Sequence, residues 1–201
     1  AVGDQLDKFG IRADTTVHAY ATLVPDRKYF AEHPEYFALV GGRRIRQQEG
    51  GQLCLSNPSM RRVFAEELSA MIRANPRAGV YGICPNDGYG WCECENCRSL
   101  DTPADREKKN VNGRVADFVA DICRRICQTE PEAMIGHYSY SNFADFMELL
   151  PEPPKNLLIS FTQFHCYKHP IAAPECETNH PLNQRFRHIL SKVENVYIYD
   201  Y

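Results

Sequence analysis

Apolar positions along the chain switch between two periods. Residues 15–23, TTVHAYATL, are β-branched and aromatic with turn residues on both sides, and predict a strand. A long irregular stretch follows, punctuated by Pro25, Pro34 and the Gly41-Gly42 pair. Residues 56–76 then read at the helical period, with Val63, Phe64, Leu68, Met71 and Ile72 on one face. Asn57 is a good N-cap, Pro58 suits the first helical position, and Asn75-Pro76 stops the helix. AGVYGIC (78–84) is a second strand. A second helix is expected over 104–130, where Val111, Val115, Phe118, Val119, Ile122 and Ile126 form a stripe despite Gly113. AMIGHYSYS (133–141) and KNLLISFTQFH (155–165) are strands three and four, separated by a short helix near 142–150. PLNQRFRHILSKV (181–193) is a helix with Leu182, Phe186, Ile189, Leu190 and Val193 on one side, and NVYIYDY (195–201) is the fifth strand.

Strands alternating with helical segments imply a parallel sheet with right-handed crossovers. The long insertions follow strands, where the C-terminal face of a parallel barrel lies. A closed eight-unit barrel needs roughly 250 residues, and the chain has 201. The expected fold is therefore α/β: about five consecutive units of a partial (β/α)8 TIM-type barrel, residues 1–201 forming a single, incomplete domain. An open, doubly wound sheet is the alternative. No glycine-rich phosphate loop follows any strand, which disfavours a nucleotide-binding version.

Strand ends are where such a fold places its chemistry, and here they are polar and aromatic. His18 and Tyr20 fall near the end of the first strand, Asn86 and Asp87 after the second, and His137, Tyr138 and Tyr140 at the third. Gln163 and His165 end the fourth, and Tyr199, Asp200 and Tyr201 the fifth. Carboxylates, histidines and aromatics on one rim suit a carbohydrate, whose ring faces meet aromatics and whose hydroxyls meet polar groups. Glycosidic hydrolysis usually needs two carboxylates, and Asp87 and Asp200 are the pair singled out. Tyr89 and Trp91 flank Asp87, and desolvation by them favours its neutral, proton-donating form. The competing reading of Asp87 is a turn residue with Gly88; that of each lone histidine is a hydrogen-bonded structural residue.

Net charge is −3, with 43% hydrophobic and 24% charged residues. That balance describes a soluble globular protein and argues against nucleic acid as a partner, since phosphate binding needs a basic surface. No apolar run approaches the roughly 20 residues of a membrane span. AVGDQLDKFG at the start does not read as a signal peptide.

Nine cysteines change the picture. Cys92, Cys94 and Cys97 follow a C-x-C-x-x-C spacing, and Cys84 brings the local count to four. Four thiolates can hold a structural zinc. Zinc knuckles usually come as two separated C-x-x-C pairs, however, so the spacing favours disulfides or free thiols. No metal or other cofactor is expected, and Cys84, Cys92, Cys94 and Cys97 are only weak metal candidates. Cys166 and Cys176 bracket a loop they can staple, and Cys123 and Cys127, at i and i+4, are expected to be buried.

HPEYFAL (33–39), QLCLSNP (52–58), PNDGYGWCECENC (85–97), HCYKHPIAAPECETNHPLNQRF (165–186) and VYIYDY (196–201) together resemble the bacterial domain-of-unknown-function family 4838 across nearly the whole chain. That family in turn resembles α-glucuronidases and other barrel glycoside hydrolases, and its members often carry export signals. The resemblance implies a secreted or periplasmic barrel acting on bacterial, plant or host polysaccharide, uronic-acid-containing polymers included, with flanking domains in the same polypeptide. Many barrel glycosidases place an acid after the fourth strand and a second carboxylate after the seventh. If residues 15–23 are the third barrel strand, Asp87 and Asp200 fall at those places. The usual acid is Glu after Asn, whereas Asp follows Asn86 here. In this reading Asp87 is general acid and Asp200 the second carboxylate. Asn86, His18, Tyr20, His137, Tyr138, Tyr140 and His165 contact substrate, and Tyr89 and Trp91 form a sugar platform. Arg43 and Arg44 are candidates to meet a uronate. A non-catalytic glycan-binding barrel module is the rival, and a zinc-dependent hydrolase ranks last.

Overall fold

The computed structural model describes residues 8–9, 13–15, 17–162 and 166–199. Its main sheet has five strands: β1 (Ala13–Thr15), β4 (Ala78–Gly82), β5 (Met134–Ser139), β6 (Leu157–Thr162) and β7 (Asn195–Tyr199). All neighbours are parallel, and they sit side by side in chain order. Each connection therefore steps the same way across the sheet. Two more strands, β2 (Leu39–Val40) and β3 (Arg43–Arg44), form a small antiparallel hairpin in the insertion after β1.

The helices are α1 (Tyr20–Leu23), α2 (Asp26–Tyr29), α3 (Pro58–Ala74), α4 (Glu95–Leu100), α5 (Pro103–Lys108), α6 (Asn112–Thr129) and α7 (His180–Lys192). α3 starts as its sequence requires: the Asn57 side chain accepts from the Met60 amide at 2.9 Å, and Pro58 occupies the first turn. Alternation sorts the strand side chains. Ile135, Leu157, Ile159 and Phe161 are buried on the helix side, where Phe161 packs on Phe186 of α7 with ring centroids 5.2 Å apart. Gly136, Tyr138, Leu158 and Ser160 alternate with them, so they face the other side. The helix-side core centres on Tyr20, Phe64 and Phe118, whose rings meet edge to face at 5.1–5.7 Å.

Two expected elements are broken. Residues 20–23 of the first expected strand are a helical turn, because Tyr20 and Leu23, three apart, both bury toward the helices. The helix expected over 104–130 is interrupted after Lys108. Lys109 adopts a left-handed conformation (φ +57°), which ends α5. Asp105, 2% exposed, then serves both sides of the break. It pairs with Thr102 in a capping box and accepts from the Asn112 and Gly113 amides that open α6. Burial raises its carboxyl pKa, but these donors outweigh burial and hold it below the usual range. Gly113 sits in that helix because a Cβ there meets the Leu100 carbonyl oxygen at 2.1 Å. The short helix near 142–150 is two 3₁₀ turns, Ser141–Phe143 and Phe146–Leu149.

Candidate functional site

Two expected contact residues, His18 and Tyr138, stand with Tyr199 at the C-terminal ends of the strands. His18 bridges Cys84 in parallel fashion just beyond β4, and its Nδ1 contacts the Pro85 carbonyl. Its ring meets Tyr138 of β5 edge-on, centroids 5.5 Å apart. Tyr138 in turn lies 6.5 Å from Tyr199 at the end of β7. An aromatic row thus crosses the rim, with His18 and Tyr199 exposed at its two ends.

Asn86 and Asp87 follow β4 beside this row. The turn reading of Asp87 has a physical basis: Gly88 takes φ +129°, a conformation L side chains rarely adopt. Asp87 itself is exposed. The loop is held from below by Gln52, fully buried, which was not foreseen. Its Oε1 accepts from the Asn86 amide at 3.0 Å and its Nε2 donates to the Asn86 carbonyl at 2.6 Å. Its own amide donates to the Gly90 carbonyl at 2.9 Å. The Asn86 side chain accepts from the Ala21 amide at 3.2 Å. Tyr89 is 76% exposed, with its hydroxyl 3.3 Å from Ser141 Oγ. Tyr140, half-buried, leans on Phe143. An open groove of about 500 Å³ borders Asn86 on the side of α2, lined also by Thr22, Asp26, Arg27, Gln47 and Gln48. Asp26 Oδ2 and Gln47 Nε2 are buried atoms with no hydrogen-bond partner among the described residues.

Other expected contact residues lie elsewhere. Tyr20 is fully buried between Phe64 and Phe118, so a ligand at the rim cannot reach it. His137 is also fully buried, because alternation along β5 turns it to the helix side between Phe143 and Phe146. Trp91 is 8% exposed and packs against Phe143, which makes it a core residue rather than an open platform. Arg43 pairs with Glu49 at 2.9 Å, and Arg44 donates to the Phe37 carbonyl at 2.6 Å; neither is held for a uronate. His165, Gln163, Asp200 and Tyr201 lie outside the described residues.

Burial pushes the His137 imidazole down to about 4, although its Nδ1–H donates to the Tyr138 carbonyl at 2.8 Å. It is neutral in the folded protein at pH 7. An unfolded chain takes up this proton near pH 6.5, the folded chain only near 4. Stability is therefore expected to fall as pH drops through that window, by at most about 3 kcal/mol, and to level off below it. His137→Leu should remove this contribution, read as a smaller Tm difference between pH 7 and pH 4.5 than in wild type. An identical difference in the two proteins rules it out.

Six of the nine cysteines fall into two groups, and no disulfide joins any of the nine among the described residues. Cys54, Cys92, Cys94 and Cys97 bring their four sulfurs within 4.8 Å of one another. Cys84 is not in this set: it is buried beneath the rim, with its thiol toward the Gly136 carbonyl. Cys54 takes its place from 38 positions upstream of Cys92. Only the missing fourth partner of C-x-C-x-x-C hinted at it. Hydrogen bonds from Cys92 and Cys97 pull the Cys54 thiol pKa down, while hydrogen bonds with Cys54 and Cys92 push Cys97 up. The group thus sheds its first proton readily and its last with difficulty, as closely packed thiols must. In the second group Cys166, His169 and Cys176 lie together; a hydrogen bond from His169 is the main cause that lowers the Cys166 thiol to about 7. The buried Asn179 side chain gathers that loop by accepting from the Cys166 amide and donating to the carbonyls of Cys166, His169 and Pro170. Cys123 is buried as expected, but Cys127 is exposed.

The chain matches the family described as "Domain of unknown function (DUF4838)" over residues 3–201, and it belongs to that family. No curated protein and no solved structure matches it. No helix among the described residues is long and apolar enough to cross a membrane.

Proposed function

We propose that the chain is the rim-bearing part of a (β/α)8-type barrel that binds and hydrolyses glycans, with Asp87 as general acid. The observation that carries this reading is the row His18–Tyr138–Tyr199 beside the braced Asn86-Asp87 turn, all at the C-terminal ends of parallel strands. Parallel strands in chain order also support a barrel, since a doubly wound sheet reverses direction at a switch point. Exposed aromatic edges suit sugar ring faces, and the groove beside Asn86 offers polar partners for hydroxyls. Asp200, one residue beyond Tyr199, is the proposed second carboxylate. Export to the periplasm or medium, flanking domains, and uronic-acid-containing polymers as substrates belong to the same proposal and rest on the family resemblance.

The test is hydrolysis of a panel of aryl glycosides and glucuronides by the full-length protein, wild type against Asp87→Asn and Asp200→Asn. Loss of the acid is expected to lower kcat/KM by about 10²–10⁴-fold on substrates with poor leaving groups. Activity unchanged in Asp87→Asn on substrates with poor leaving groups removes Asp87 from the chemistry. Glycan binding without turnover in wild type selects the binding-module reading instead.

A further inference from the structure

We infer that Cys54, Cys92, Cys94 and Cys97 form a closed tetrathiolate zinc site that braces the rim. In a regular tetrahedron with zinc–sulfur bonds of about 2.3 Å, the sulfurs stand about 3.8 Å apart. The Cys54 sulfur lies 3.7 Å from that of Cys94 and 3.8 Å from that of Cys97. Disulfide sulfurs stand about 2.05 Å apart, so this spacing is that of ligands around a common centre. Cys54, Cys92 and Cys97 are at most 3% exposed and Cys94 is half-buried. Four protein ligands leave no position open for water, which is the arrangement of a structural rather than a catalytic zinc.

The surroundings match the charge of such a centre. Four thiolates around a divalent ion carry a net charge of −2, which needs donors and a cation nearby. The Leu39 amide donates to Cys92 Sγ at 3.3 Å, and the Arg44 guanidinium reaches the same sulfur at 3.7 Å. Ser56 Oγ lies 3.1 Å from Cys97 Sγ. A disulfide needs none of these partners. The site also has a mechanical consequence. Cys54 comes from the insertion after β1, and the other three come from the segment after β4. One ion would join these two segments two residues from Gln52, the side chain that clamps Asn86. The metal assignment stands apart from the glycosidase reading, since neither activity nor Asp87 enters it.

The decisive measurement is metal content of the full-length protein, purified without chelator or added zinc, by elemental analysis. The inference expects one zinc to be lost from the wild-type count in Cys54→Ser and in Cys97→Ser, and retained in Cys176→Ser, which alters the other cysteine group. If the first two variants do not fold, wild type alone decides: a mercurial titration should release one zinc as these four thiols react, followed with a zinc-sensitive dye and peptide mapping. Wild type without zinc, stoichiometric iron in its place, or a mapped disulfide within the four overturns the inference. Amide exchange over residues 84–91 should quicken when zinc is stripped; unchanged exchange there overturns the bracing role.

Discussion

Arg114→Met is expected to destabilise the protein by about 3–5 kcal/mol, the usual cost of removing one partner from a buried ion pair. Arg114 and Asp101 are 4% and 8% exposed. The guanidinium holds both carboxylate oxygens, with Nε 2.8 Å from Oδ1 and Nη2 on Oδ2. Its third donor, Nη1, reaches the Cys92 carbonyl at 2.6 Å. Methionine keeps most of the volume but leaves the Asp101 carboxylate and the Cys92 carbonyl without these donors in a site water hardly reaches. Urea unfolding of wild type and variant measures the difference. The double variant Asp101→Leu/Arg114→Met should recover much of the loss, because no lone charge remains. A single variant that loses less than about 1 kcal/mol would show that the pair carries little weight. Arg114 also links α6 to the cysteine segment through a bond to a main-chain atom, so it positions that segment as well as the helix.

Phe118→Ala is expected to cost a similar amount, about 3–5 kcal/mol. Phe118 is fully buried, with Phe64 at 5.1 Å and Tyr20 at 5.7 Å between ring centroids. The Arg61 guanidinium lies 5.8 Å from its ring. Neither neighbour can fill the space, since both are held by the packing of α1 and α3. Phe118→Leu should restore part of the loss because it leaves a smaller cavity. Thermal unfolding of the three proteins gives the ranking; equal Tm values for wild type and Phe118→Ala would mean that this core collapses without cost. Tyr20 opens the turn that follows His18, so the same cavity should loosen the rim, seen as faster amide exchange at residues 18–23.

Much of this architecture was legible because periodicity is local. The stripe Val115–Phe118–Val119–Ile122–Ile126 gave α6 its buried face, and Asn57-Pro58 marked the start of α3. Strands β4 to β7 lay within the stretches expected for them. Residues 15–23 misled because a short run of β-branched and aromatic residues suits a strand and a buried helical turn alike. The break at Lys109 was hidden because residues 104–109, ADREKK, favour a helix and carry no glycine or proline to mark its end. What decided it was one buried carboxylate, Asp105, capping two helices, and its partners are visible only once the chain has turned back.

The candidate site divides along the same line. The sequence by itself determined an α/β chain with its polar and aromatic residues at strand ends, because alternation and turn chemistry act over a few residues. Which of them meet was a tertiary matter. Strand alternation and the crossover of α6 sent His137 and Tyr20 into the core and left His18 and Tyr138 in contact at the rim. Gln52 and Cys54 reached their partners only because the insertion after β1 folds back onto the segment after β4. Contacts between residues more than thirty positions apart depend on the path of the whole chain, and no local pattern encodes that path.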